Sequence, residues 1–158
     1  MRDYKDTERV DRRTKEMIKQ NIVFVENKAG SLKRVTGILA DNGINIYGFA
    51  CFDAPEFAIF RMICDDPDKA EIILNQSGYM NRITQAIVVD MKDQVGGLDE
   101  LLKVASDSNV SLDYIYTSFH RKDLRPVVIL QTEDGAVTEC ILKNNGFNVF
   151  TSAEELEK

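Results

Sequence analysis

The fold of this protein is decided by residues 21–49, NIVFVENKAGSLKRVTGILADNGINIYGF. The apolar run Ile22–Val25 predicts a short strand, and the breaker around Gly30 ends it. The apolar residues that follow share the spacing of one helical face: Leu32, Val35, Ile38 and Leu39. Gly43 is suited to the C-terminal end of that helix, because glycine readily adopts the left-handed conformation found there. The stretch therefore predicts a strand, a helix and the start of a second strand.

The same pattern returns 66 residues later, in IVVDMKDQVGGLDELLKVASDSNVSLDYIY (residues 87–116). At this offset Gly30 corresponds to Gly96. Further along the chain the offset becomes 68, and Asp66 corresponds to Asp134. A hairpin loop can absorb the two extra residues. The chain is therefore predicted to contain two copies of one structural unit.

Each copy is predicted to run strand, helix, strand, strand, helix, strand. This order gives an antiparallel sheet with both helices on one face, the ferredoxin-like arrangement, so the predicted class is α+β with two βαββαβ units in tandem. In the second copy, the last strand is expected at residues 147–150. The predicted boundaries are 1–18 for a charged N-terminal tail or helix, 19–84 for the first unit, 85–151 for the second unit and 152–158 for a C-terminal tail.

Composition and charge narrow the class of protein. Apolar residues make up 44% and charged residues 29% of the chain, which is typical of a globular protein. The longest apolar runs contain four residues, too few for a transmembrane helix, and the charged N-terminus lacks the apolar core of a secretory signal. The net charge of −6 disfavours binding to phosphate backbones. We expect a cytoplasmic protein that binds neither nucleic acid nor membranes.

No catalytic machinery is recognisable in the sequence, which lacks GxSxG, Walker, HExxH and GxGxxG motifs. The single histidine, His120, falls in a predicted hairpin of the second copy and is expected on the surface. The cysteines Cys51, Cys64 and Cys140 are isolated among apolar neighbours. We expect them to be buried, reduced thiols and not disulfides or zinc ligands. We therefore expect no catalytic residue, no metal and no cofactor.

One loop has features of a ligand site. Residues 27–31, Asn-Lys-Ala-Gly-Ser, join the first strand to the first helix. Glycine lets the backbone turn tightly, so that amides near Ser31 and Leu32 can point at an anion beside the helix N-terminus. Asn27 offers both a donor and an acceptor, which suits the carboxylate or ammonium group of a zwitterion. An ordinary strand–helix turn, in which Asn27 and Gly30 serve only geometry, is the alternative that spacing leaves open.

A longer pattern includes this loop. With Φ for an apolar residue, the first copy contains ΦxΦxENKxGxLxxΦxxΦLxxxGINI between Ile22 and Ile46. The pattern resembles the ACT domain, a small regulatory module found on amino-acid-metabolising enzymes. The second copy is a weaker match, and the resemblance covers about residues 19–151. It implies that an amino acid or related small ligand binds where the first loop of one copy faces the second strand of another copy.

Carried over position by position, the resemblance implies a set of ligand-contacting residues in each copy. In the first copy they are Asn27, Ala29, Gly30 and Asn45. Ser31 and Leu32, whose amides belong to the loop, and Ile46, which follows Asn45, are expected to contact the ligand with them. In the second copy they are Asp93, Val95, Gly96 and Ser111. Ala29 and Val95 stand where the family commonly has proline, and Asp93 and Ser111 stand where the first copy has asparagine. Because Asp93 repels a carboxylate and attracts an ammonium group, we expect the better amino-acid site in the first copy.

The resemblance favours a stand-alone, non-catalytic regulator that senses an amino acid and transmits binding allosterically through a changed interface. A regulatory subunit of an amino-acid biosynthetic enzyme is the alternative. A small enzyme on the same scaffold is disfavoured by the missing acid–base and nucleophile sets. We also expect a homodimer, because helices cover one sheet face and the large apolar residues of the strands need a partner: Phe49, Phe52, Phe57 and Phe60.

Overall fold

The computed structural model describes residues 17–158, which form two compact units, one of residues 19–85 and one that contains residues 86–158. The elements, in chain order, are β1 (Ile18–Glu26), α1 (Ser31–Asp41), β2 (Ile46–Asp53), β3 (Phe57–Cys64), α2 (Pro67–Gln76), β4 (Asn81–Asp90), α3 (Gly97–Asp107), β5 (Leu112–Phe119), β6 (Pro126–Thr132), α4 (Gly135–Asn144) and a 3₁₀ helix (Ala153–Leu156). The predicted α+β class with βαββαβ order is confirmed. In this described part of the chain, no helix has the length and apolarity needed to cross a membrane.

The start of the chain differs from the sequence expectation where it can be compared. Most of the expected N-terminal tail or helix, residues 1–16, lies outside the described residues. Ile18, assigned to that tail, instead begins β1 and is only 3% exposed. Met17 packs against the core of the second unit. Their apolar side chains explain the difference, since burying them stabilises the fold.

In the first unit the strands are ordered β2-β3-β1-β4. β3 is antiparallel to both of its neighbours, with Glu26 of β1 opposite Phe57 and Ile46 of β2 opposite Cys64. The end of β1 therefore lies beside the start of β3. The start of β2 lies at the other end of β3. This register determines where the predicted ligand residues lie.

The core of the first unit lies between the sheet and its two helices. Alternate side chains of β1 and β3 point into it because successive residues of a strand face opposite sides. Its buried residues are Val23, Val25, Val35, Leu39, Ile44, Phe60, Met62, Cys64, Ala70 and Leu74.

The cysteines only partly follow the expectation of buried thiols. All three are free, but Cys51 and Cys140 are exposed, so the expectation is wrong for both. Cys51 lies opposite the buried Phe60 but on the edge strand β2, where its side chain reaches solvent. Burial raises the pKa of the Cys64 thiol to about 12. Cys64 is therefore protonated and unreactive near neutral pH.

The sheet face opposite the helices is not bare. Ile22 and Ile63, which point away from the core described above, are 2% and 0% exposed. Phe60 was expected to need a partner chain, and this is wrong, because it packs beneath the helices and is 1% exposed. The exposed phenylalanines of this unit are Phe49, Phe52 and Phe57.

The second unit repeats this plan with strand order β4-β6-β5. Its core residues are Ile87, Val89, Leu101, Val128, Leu130, Leu142 and Val149. The stretch at residues 147–150 does not form the regular strand that was expected. It pairs with β4 through a bridge between Val89 and Val149, where the Asp90 amide donates to the Asn148 carbonyl oxygen and the Phe150 amide donates to the Val88 carbonyl oxygen. Ser152 and Glu155 then form the capping box of the 3₁₀ helix.

The C-terminal segment packs back onto the hairpin between β5 and β6. Leu156 is fully buried, and its carbonyl oxygen accepts a hydrogen bond of 2.8 Å from the Arg121 amide. His120 is only 6% exposed, so its expected surface position is wrong. Its ring stacks on Phe150, and its Nδ1 lies 3.1 Å from Oδ1 of Asp123. Residues that the sequence assigns to a tail therefore cover the hairpin.

Replacing Leu156 by Ala should lower the free energy of unfolding by about 2–5 kcal/mol, because a buried leucine leaves a cavity. Leu124 in the same hairpin is 70% exposed and provides the control. Leu124→Ala should change the free energy of unfolding by no more than about 0.5 kcal/mol. Chemical denaturation followed by circular dichroism measures both, and equal stabilities of the two variants would contradict the packing of the C-terminal segment.

Candidate ligand-binding site

The first predicted ligand loop is a tight turn between β1 and α1. Gly30 has φ +81°, in the left-handed region that favours glycine. The Ser31 amide donates to the Lys28 carbonyl oxygen at 3.1 Å, and the Arg34 amide donates to the Gly30 carbonyl oxygen at 3.0 Å. Residues 27–30 are exposed, whereas Ser31 is 2% exposed. The loop therefore presents its backbone to solvent and leads directly into the helix.

The second loop has the same backbone design. Gly96 has φ +87°, and the Glu100 amide donates to its carbonyl oxygen at 2.9 Å. The next residue is also a glycine, because a Cβ on Gly97 would lie 2.1 Å from the Lys92 carbonyl oxygen. The second loop is thus folded more tightly on itself than the first at this position, since the corresponding residue of the first loop, Ser31, carries a Cβ, whereas Cβ atoms on Gly30 and on Gly96 would both meet nothing within 4 Å.

The helices that follow these loops have no side-chain cap. In the other two α-helices of the described chain, an aspartate carboxylate caps the N-terminus: Asp66 accepts from the Lys69 amide and Asp134 from the Val137 amide, each at 3.0 Å. A capping carboxylate occupies the place where an external anion would bind. The N-termini of α1 and α3 carry no such group. Their amides are available to the carboxylate of a ligand.

Charge distinguishes the two uncapped N-termini. The first turn of α1 has no acidic residue, and Nη2 of Arg34 donates to Oγ of Ser31 at 3.0 Å. The first turn of α3 carries Asp99 and Glu100, and Glu100 forms an ion pair of 2.8 Å with Lys92. The N-terminus of α1 therefore has a cation, Arg34, in its first turn, whereas the first turn of α3 has two carboxylates, one of them paired with Lys92.

A cavity lies beside each loop, and the two cavities are lined by corresponding elements. The first has a volume of about 420 Å³ and is lined by Ser31, Arg34, Glu26 and other residues of its unit. The second has a volume of about 400 Å³, and Asp93 is among its lining residues. A small amino acid fits such volumes.

The remaining predicted residues of the first unit lie elsewhere. Asn45, which precedes Ile46 at the start of β2, donates its amide to Oδ1 of Asp65 at 3.0 Å. Asp65 and Phe57 lie at opposite ends of β3, and Phe57 pairs with the residue just before the first loop. At about 3.3 Å per residue, Asn27 and Asn45 are therefore separated by about 25 Å. One unit does not bring them together.

The second unit separates its predicted residues in the same way. The chain that leads into Asp93, Val95 and Gly96 lies beside the start of β6, where the Met91 amide donates to the Pro126 carbonyl oxygen at 3.1 Å. Ser111 precedes β5 at the other end, where Leu112 pairs with Thr132. Ser111 lines a separate groove of about 1,010 Å³.

Arg34 is a candidate ligand residue that the sequence interpretation missed. Its guanidinium group reaches the buried Ser31 at the helix N-terminus and lines the cavity beside the first loop. The sequence did contain a signal for this residue, because Arg34 is a positively charged residue three positions after Ser31, the first residue of the helix. A residue at that spacing lies on the same face of the helix.

A family model described as an ACT domain pair matches residues 16–158. Among solved structures, protein BT0572 from Bacteroides thetaiotaomicron matches with a TM-score of 0.82 and 27% identity, over 90% of this chain and 97% of that one. The ligand-free regulatory subunit of aspartate kinase from Thermus thermophilus matches with a TM-score of 0.60 and 14% identity, over 84% and 95% of the two chains. This second likeness shows the fold alone. No curated protein matches the chain.

The two loops predict different effects of adding a methyl group. Gly30→Ala should lower the free energy of unfolding by about 1–2 kcal/mol, because only the left-handed backbone opposes it. Gly97→Ala should cost more, since its Cβ would displace the Lys92 carbonyl oxygen, 2.1 Å away. Urea denaturation compares the variants. A Gly97→Ala protein as stable as the wild type would contradict the close packing of the second loop.

Proposed function

Because the chain belongs to the ACT domain pair family, we propose that it is a non-catalytic, cytoplasmic regulatory protein that binds an amino acid. The observation that carries the proposal is the pair of uncapped helix N-termini behind left-handed glycines, Gly30 and Gly96. Backbone amides at such N-termini bind anions without further side chains. Regulation follows if the ligand binds two states of the protein with different affinity.

The first unit is proposed as the stronger site. Ser31 and Arg34 already use their amides in the turn, and the geometry of a helix leaves the amides of Leu32 and Lys33 without intrahelical acceptors. The ligand carboxylate binds these amides, and the guanidinium of Arg34 adds a charge-assisted hydrogen bond. Asn27, Ala29 and Gly30 form the exposed rim of this site. In the second unit, Asp93, Val95 and Gly96 form a weaker counterpart.

A homodimer is proposed for two reasons. The proposed ligand residues Asn27 and Asn45 lie at opposite ends of the first unit. One ligand therefore contacts both kinds of residue only if a second chain supplies one of them. Exposed aromatic side chains on and beside the edge strand β2 offer an apolar surface for that copy. Phe49, the most exposed of them, is 61% exposed. In this dimer, the start of β2 with Ile46 faces the loop of the other chain. Ser111, just before β5, has the corresponding place in the second unit.

A regulatory subunit of an amino-acid-metabolising enzyme is the second candidate. It is favoured by the similarity in fold and length to the aspartate kinase regulatory subunit, 95% of which is covered. Amino-acid binding by the isolated chain supports the stand-alone sensor. Binding only in the presence of a co-purifying enzyme of amino-acid metabolism, in fixed stoichiometry, supports the subunit.

A thermal-shift screen of the purified chain against the twenty amino acids tests the proposed function. A ligand at 100 times its Kd should add about 2.7 kcal/mol to the free energy of unfolding. Arg34→Gln should then weaken the identified ligand about ten-fold in calorimetric titration, because a charge-assisted hydrogen bond is lost. Glu100→Gln, at the corresponding position of α3, should not weaken it. If none of the amino acids raises the melting temperature, the isolated chain is not a sensor.

Analytical ultracentrifugation tests the dimer. The wild type should sediment as a dimer at micromolar concentration, and Phe49→Asp should shift it towards the monomer, because a buried charge opposes association. Phe119→Asp is the matched control, since Phe119 is 57% exposed on the edge strand of the second unit. A monomeric wild type, with and without ligand, would contradict the proposal.

A further inference from the structure

A large cavity in the second unit is lined by none of the residues proposed to bind the carboxylate at α1. It is a groove of about 1,010 Å³ in the second unit, formed by the end of α3, the start of β5 and the first turns of α4. Leu102, Leu112 and Ile141 give it an apolar floor, and Glu133 and Asp134 bring two carboxylates. Among the lining residues that the structure describes, none is a lysine, an arginine or a histidine.

The corresponding place in the first unit is occupied by an ammonium group of the protein. Nζ of Lys69, on α2, donates to the carbonyl oxygen of Asn42 at 2.7 Å. Asn42 is the C-terminal cap of α1, where the helix dipole concentrates negative charge. The first unit therefore stabilises a primary ammonium between the end of one helix and the first turn of the next.

The two places correspond in structure as well as in sequence. Lys69 and Val137 each donate their amide to Oδ1 of the capping aspartate three residues earlier, so they occupy the same helical position. Asn42 and Ser108 are both C-terminal caps of the first helix of their unit. Ser108 and Val137 both line the groove. Val137 therefore stands where the first unit has its ammonium group.

The second unit keeps the negatively charged end of the helix but has no ammonium group beside it. The C-terminal end of α3 retains its negative dipole, and Glu133 corresponds to the acidic Asp65 of the first unit. Val137 is 52% exposed at the rim and supplies no charge. A groove with an acidic wall and an apolar floor favours a molecule that carries a positive charge on an apolar body.

We propose that this groove binds the primary ammonium group of an apolar ligand, in the place that Nζ of Lys69 fills in the first unit. The ammonium group donates to the Ser108 carbonyl oxygen, and Glu133 adds electrostatic attraction. The apolar body lies against the floor residues Leu102 and Ile141. A simple amine and the ammonium end of an amino acid both have the group that this site binds. It does not depend on the carboxylate site at α1.

Three probes that share one branched apolar chain distinguish an amine ligand from an amino-acid ligand. They are isoamylamine, leucine and 4-methylpentanoate. Titration followed by calorimetry should show one isoamylamine bound per chain and no binding of 4-methylpentanoate in the groove. Val137→Lys should weaken isoamylamine roughly ten-fold or more, because the new ammonium group competes for the same acceptor. Val137→Gln, of similar length without charge, should leave its affinity within about two-fold. Leu124→Lys adds the same charge outside the groove and should also leave it unchanged.

The converse variant extends the test. Lys69→Val removes the ammonium group of the first unit and should raise the stoichiometry of isoamylamine from one to two per chain. A stoichiometry that stays at one contradicts the correspondence on which the proposal rests. Absence of isoamylamine binding, or equal affinity in Val137→Lys and Val137→Gln, overturns the groove site.

Leucine separates the groove from the proposed function. Loss of leucine binding in Val137→Lys, with isoamylamine lost as well, supports the groove as the site of an amino acid's ammonium end. Leucine binding that is weakened about ten-fold in Arg34→Gln but unchanged in Val137→Lys, with no isoamylamine bound, overturns the groove and leaves the proposed function intact. Binding of isoamylamine alone supports the groove as an amine site, independently of whether the chain senses amino acids.

Discussion

Each unit depends on a sharp turn from its first strand into its first helix, and a left-handed glycine makes that turn. At Gly30 and Gly96 the positive φ lets the chain reverse within a few residues, so that the helix packs on the sheet it has just left. A residue with a Cβ resists this conformation. The same turn also leaves no side chain to cap the helix. The constraint that builds the core therefore also produces a helix N-terminus without a side-chain cap.

The two copies keep this backbone but differ in the charges around it. In the first copy Arg34 stands beside the helix N-terminus, and in the second the corresponding residue is Glu100, paired with Lys92. At the opposite end, Lys69 donates to a helix C-terminus in the first copy, and Val137 leaves that place open in the second. Duplication thus preserved the parts that packing requires. The side chains around this backbone that face solvent differ, and each difference changes the charge that the protein presents at that place.

The predicted elements were accurate wherever the apolar pattern was regular. β1, α1 and their counterparts follow from apolar spacing and from the breaker glycines, because these signals act within a few residues. The stretch at residues 147–150 is less regular than expected, because its pairing with β4 is limited to a bridge at Val149 and the two backbone hydrogen bonds beside it.

The repeat, the order of the elements and the loop glycines could be read from the chain, because periodicity and turn chemistry are local properties. Burial could not be read in the same way. His120 lies in a loop and is nevertheless buried, because a segment thirty residues later packs on it, whereas Cys51 has apolar neighbours in sequence and is exposed on an edge strand. The separation of Asn27 from Asn45 likewise follows from the antiparallel pairing of β3 with its two neighbours. Such facts depend on which distant residues meet, and strand pairing and packing determine that only once the whole unit has folded.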